Sequence, residues 1–97
     1  MTKDPNHLYF LDAREEILTN LEDLRMNLIR CVDEGMIDLE NEFYNELLGL
    51  IDETHIADEW NDIDEVIAKA KTLEIDVAAW LARHGRSGIS YTWPKKL

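Results

Sequence analysis

The chain has 97 residues, an apolar fraction of 45% and a net charge of −11. A chain of this length buries roughly 60–65% of its unfolded surface in one core without metal or disulfides, and so apolar a composition excludes wholesale disorder. The charge disfavours nucleic acid and anionic membranes as direct partners of its body.

One cysteine, Cys31, leaves no internal disulfide, which fits a reducing compartment. Met1 to Asn6 lacks the basic start and apolar run of a signal peptide. No apolar segment approaches the ~20 residues that span a bilayer. The expectation is a single cytoplasmic domain over residues 1–97, frayed at 1–4 and 95–97, with no membrane contact.

The charge is placed unevenly. Residues 1–65 carry net −15 and residues 66–97 carry net +4. Between Cys31 and Ala68 there are thirteen carboxylates and no Lys or Arg. Apolar residues recur among these acids at helical spacing, the signature of a folded acidic surface.

In chain order, Asp4-Pro5 reads as a helix start, with a second start at Asp12 and Glu15. The first helix is expected to run from Pro5 or Asp12 to Asp33 and stop at Gly35. Its stripe is Phe10/Leu11, Ile17/Leu18, Leu21, Leu24, Leu28 and Cys31/Val32. Arg14 interrupts this stripe and is expected to reach a carboxylate of a neighbouring helix.

Asp38 caps a predicted second helix with Leu39, Phe43, Leu47, Leu50 and Ile51 inward. At 100° per residue, Glu42, Glu46 and Glu53 share one flank, and Tyr44 and Leu48 the other. Glu42 and Glu46 form a like-charged i,i+4 pair, which opposes helix stability. Thr54 to Ala57 reads as a connection.

A third helix is predicted from Asp58 or Asn61 to Leu73, with Trp60, Ile63, Val66, Ile67, Ala70 and Leu73 inward and a Glu65–Lys69 pair. Glu74-Ile75 reads as a tight link. Asp76 then caps a short fourth helix that holds Val77, Trp80 and Leu81 and stops at Gly85. The tail from Arg86 carries Tyr91 and Trp93 and, with Gly88 and Pro94, is expected to pack back in an extended form. The fold class is therefore all-α: a compact bundle of about four helices, one long, two medium and one short, with an irregular C-terminal tail. The first two helices close on Asp33-Glu34 and Asp52-Glu53, where the dipole favours bases. Either those ends fray early or the acids serve a partner.

No catalytic constellation emerges. Cys31 lies in an apolar stripe, which keeps a thiol protonated and unreactive. Ser87 and Ser90 lie beside His84 without a nucleophile elbow. Asp52 and His55 make a single acid-x-x-His pair, where a di-iron bundle uses two. Neither a calcium loop nor a phosphate loop is present. The expectation is a non-enzyme with no cofactor and no metal site.

The residues assigned to partner binding are Glu42, Glu46, Glu53, Asp58, Glu59 and Asp62, with Tyr44 and Leu48 as apolar anchors. The expected partner is a basic protein surface, approached by charge steering that weakens in salt. Trp80 to Gly88 (WLARHGRSG) resembles the end of the last helix in nuclease-colicin immunity proteins, small acidic four-helix inhibitors. Their paired-tyrosine motif is absent here, so the likeness implies an inhibitor by analogy only. Two alternatives remain: a structural homodimer with Tyr44, Leu48 and the Arg14 region as its seam, and a helical metalloprotein.

Overall fold

The computed structural model describes residues 5–35, 42–86 and 89–95, the side chains of 5–8 excepted. The expected caps at Asp4 and Asp38, the inward Leu39, Gly88 and the chain ends 1–4 and 96–97 lie outside these residues.

Three helices occupy the described residues: α1 (Pro5–Asp33), α2 (Glu42–Ile56) and α3 (Trp60–Arg83). At 1.5 Å per residue they are about 43, 22 and 36 Å long. Arg14 meets Ala57 and Arg25 meets Tyr44, so α2 runs antiparallel to α1. Lys69 meets Glu53, and Phe43 meets Trp80 at 6.3 Å between ring centroids, so α3 is antiparallel to α2. Tyr9 stacks on Trp60 at 5.3 Å and Glu34 pairs with Arg86, which sets α3 parallel to α1. The result is a rod, 53 × 21 × 18 Å. Its radius of gyration, 14.8 Å, exceeds the ~12.5 Å of a rounded domain of this length.

The core lies on the line where the three stripes meet. From α1 come Phe10, Ala13, Ile17, Leu21, Leu24, Leu28 and Cys31; from α2, Leu47, Leu50 and Ile51. From α3 come Ile63, Val66, Ile67, Ala70, Leu73, Val77 and Leu81. α1 begins at Pro5, whose fixed φ suits a first helical position. It ends in the predicted left-handed turn, with Gly35 at φ +77°.

The expected third and fourth helices are one continuous element. Glu74-Ile75 is not a link, and Asp76 caps nothing: both positions are interior to α3. The reason is phase. Leu73, Val77 and Leu81 extend the stripe of Ile63, Val66 and Ala70 without a slip, and neither Gly nor Pro interrupts residues 60–83. Among the described residues the bundle therefore has three helices instead of about four.

α2 also continues past its expected end. Thr54 sits inside it, fully buried, because its Oγ1 donates to the Leu50 carbonyl at 2.7 Å and needs no water. Asp52 and Glu53 are therefore not terminal. Arg14 reaches the chain just after α2, but Nη1 donates to the Ala57 carbonyl at 3.2 Å and not to a carboxylate. A cation there complements the negative end of the α2 dipole. The guanidinium also stands 5.8 Å from the Phe10 ring centroid.

The tail does pack back, and it takes the place of a fourth helix. Trp93 and Pro94 are buried. Glu74 of α3 accepts the Tyr91 N–H at 2.7 Å and the Trp93 indole N–H at 2.9 Å with its two oxygens. On α1, Asp23 accepts the Tyr91 hydroxyl at 2.6 Å and Asn20 donates to the Thr92 carbonyl at 3.0 Å. Lys95, placed by expectation among the frayed ends, donates its N–H to the Tyr9 hydroxyl at 3.1 Å.

Candidate functional site

On α2, positions 42, 46 and 53 fall on the flank that turns toward α3. The antiparallel partner sets Asp62, Glu65 and Lys69 opposite. Two adjoining grooves result. One, about 380 Å³, is lined by Glu46, Gly49, Leu50, Glu53 and Lys69. The other, about 180 Å³, is lined by Glu53, Ile56, Ala57, Asp62, Glu65 and Val66. Glu53 belongs to both, so the grooves form a single acidic furrow along the α2–α3 seam.

Lys69 crosses the furrow. Its Nζ donates to Glu53 Oε1 at 2.9 Å, and this hydrogen bond holds the ammonium above its ordinary pKa. The pair is exposed on both sides, so it contributes little to stability. The hydrogen bond of Lys69 goes across the seam to Glu53, while Glu65, its expected i,i+4 partner, adds a weaker charge attraction from the furrow wall.

The turn into α3 extends the acidic surface. Glu59 is the N-cap in extended conformation, and its carbonyl, not its side chain, receives the Asp62 and Ile63 N–H groups. Asp62 instead turns back to accept the Asp58 N–H at 3.3 Å. Asp58, Glu59 and Asp62 thus gather around the positive end of the α3 dipole, which stabilises them. Asp58 and Glu59 remain exposed.

The structure thus brings Glu46, Glu53 and Asp62 into the furrow, sets Glu42 one turn before Glu46, and places Asp58 and Glu59 on the adjoining turn. It separates Tyr44 and Leu48 from them. Tyr44 packs on the core facing α1, where Arg25 Nε donates to its hydroxyl at 3.4 Å. Leu48, four residues on, shares that flank and is 37% exposed. The acidic end of α1 also has an internal partner, since Glu34 pairs with Arg86 beyond α3.

Sequence reasoning missed Glu65 and Lys69 as furrow residues, whereas helix geometry alone places Gly49 between Glu46 and Glu53 on the same flank. Gly49 is interior to α2 and does not have a positive φ, and a Cβ there would meet nothing within 4 Å. Helical glycine costs about 0.5–1 kcal/mol relative to alanine, yet neither backbone nor packing requires one here.

The furrow offers clustered hydrogen-bond acceptors of one sign, suited to Lys and Arg side chains of another molecule. Elsewhere, burial pushes the Cys31 thiol up, against the opposing pull of Arg86 and Arg30. Among the described residues, no three His, Cys, Asp or Glu side chains are placed to share a metal ion. Nor is any helix among them long and apolar enough to cross a membrane. No protein-family profile, curated protein or solved structure gives a significant match to the chain.

Proposed function

We propose that this chain is a small non-enzymatic interaction module, an inhibitor in physical type, that engages a basic protein surface through the α2–α3 furrow. Glu46, Glu53, Asp62 and Glu65 form the contact, extended by Glu42, Asp58 and Glu59. The observation that carries the reading is the convergence of these acids from two antiparallel helices on one seam with Lys69 as the cation between them. A field of this kind accelerates encounter with a cationic partner and fades as salt screens it.

The test is capture from native extract at ~50 and ~200 mM salt, across which charge-driven contacts weaken. A basic protein retained at the lower salt, and lost with the triple variant Glu46→Gln, Glu53→Gln, Asp62→Asn, is the expected result. Equal retention by the variant, with its circular dichroism unchanged, would refute it. A structural dimer is the second reading. It is favoured by Leu11, Met26 and Leu48, exposed by 38%, 57% and 37%; a dimer unaffected by salt would support it.

A further inference from the structure

A second groove, of about 410 Å³, runs between α3 and the tail. Ile75 and Ala78 line it from the helix, Ile89 and Trp93 from the tail. At about 100° per residue, Lys71, Ile75 and Ala78 fall on the side of α3 away from Lys69 and the furrow. Ile75 is 68% exposed. A lone exposed isoleucine is ordinary, but this one adjoins Ala78 and Ile89, so the exposure forms a patch. A groove this open to water cannot bury most of a small molecule. It suits a chain segment laid along it.

The polar groups select the sign of that segment. Glu74, the carboxylate in the groove wall, has both oxygens committed to the Tyr91 N–H and the Trp93 indole. Lys71 lines the same wall and is exposed. Lys95 stands toward the same end, since its N–H meets Tyr9, which stacks on Trp60 at the start of α3. The furrow acids lie across the width of a helix, about 10 Å, which exceeds the Debye length of about 8 Å at physiological salt. Asp64 precedes Lys71 by seven residues, about 10 Å along the axis. Two ammonium groups therefore dominate the local field.

We infer that this groove docks an acidic segment of a partner protein that carries apolar anchors. The anchors seat on Ile75, Ala78 and Ile89, and a carboxylate reaches Lys71. The molecule then has two faces of opposite preference, the furrow for a basic surface and this groove for an acidic segment. The second stands whether or not the first does.

The probe is a dye-labelled peptide, Leu-Glu-Leu-Glu-Leu-Glu, titrated with the full chain at ~150 mM salt and read by fluorescence anisotropy. Versions with Lys for Glu and with Ser for Leu serve as controls. The expected result is binding of the parent peptide about fivefold or more tighter than either control. Ile75→Ser and Lys71→Gln, both at exposed positions and with circular dichroism unchanged, each weaken it about fivefold. Lys69→Gln, on the furrow side, leaves it unaltered. A lysine peptide that binds as tightly, or an Ile75→Ser chain that binds like the parent, overturns the inference. So does a dimer of the parent chain that Ile75→Ser dissociates in sedimentation, which would give the groove to a second copy.

Discussion

Glu74→Gln is the most informative single change in the fold. The carboxylate accepts the Tyr91 N–H at 2.7 Å and the Trp93 indole N–H at 2.9 Å, one on each oxygen. Glutamine has the same shape but only one acceptor oxygen; its NH₂ must face one of those two donors. One hydrogen bond to a charged group is lost, worth about 1.5–3 kcal/mol, and the surviving bond weakens with the charge. Discounting for the half-buried setting of Glu74, the cost is about 1–2 kcal/mol. For a domain of this size that corresponds to a fall in Tm of about 4–16 °C. Asp76→Asn, two positions on and exposed, serves as the control and should stay within about 0.5 kcal/mol. Thermal unfolding by circular dichroism, with indole fluorescence reporting on the tail, gives both quantities. A Glu74→Gln protein as stable as the Asp76→Asn control would refute the anchoring role of Glu74.

Ile75→Pro, in the interior of α3, should cost about 3 kcal/mol or more; unaltered urea unfolding would restore the link expected at that position. Gly49→Ala should raise stability by about 0.5–1 kcal/mol while weakening capture of the basic partner, as the added methyl enters the furrow; improved capture would contradict the role given to this surface. Lys69→Gln should change stability by less than about 1 kcal/mol and strengthen partner binding in titration calorimetry by freeing Glu53, whereas weaker binding would count against it. Burial, and then the hydrogen bond to Asp23, push the Tyr91 phenol well above its ordinary value. The protonated form is thus favoured in the folded state. Its contribution is complete below about pH 10, where the unfolded phenol titrates, and declines above it. Between pH 9 and 11 the parent should lose stability more steeply than Tyr91→Phe; parallel slopes would refute this linkage.

Much of the fold was legible because helical periodicity is a local signal. The α1 stripe from Phe10 to Cys31 and its glycine stop follow from spacing and turn chemistry alone. The break assigned at Glu74-Ile75 came from reading Asp76 as a cap. The stronger evidence was the unbroken Leu73–Val77–Leu81 phase, which no Gly or Pro interrupts. Glu74 could not be recognised as an anchor, because its partners lie 17 and 19 residues away and are set by the path of the tail. For the same reason Lys69 was matched to Glu65 on its own helix. The pairing with Glu53 depends on the register between α2 and α3, which a single chain's periodicity does not encode. The flank shared by Glu42, Glu46 and Glu53 needed only helix geometry, whereas its union with Asp62 and Glu65 needed the antiparallel turn.

The proposed function turns on where a cationic protein touches this molecule. Amide chemical-shift mapping of the ¹⁵N-labelled chain, titrated with the captured partner, reads that location directly. Perturbations confined to residues 46–53 and 58–65, shrinking as salt is added, are the predicted outcome. A map centred on Leu11, Met26 and Leu48, or on the tail, would contradict the account.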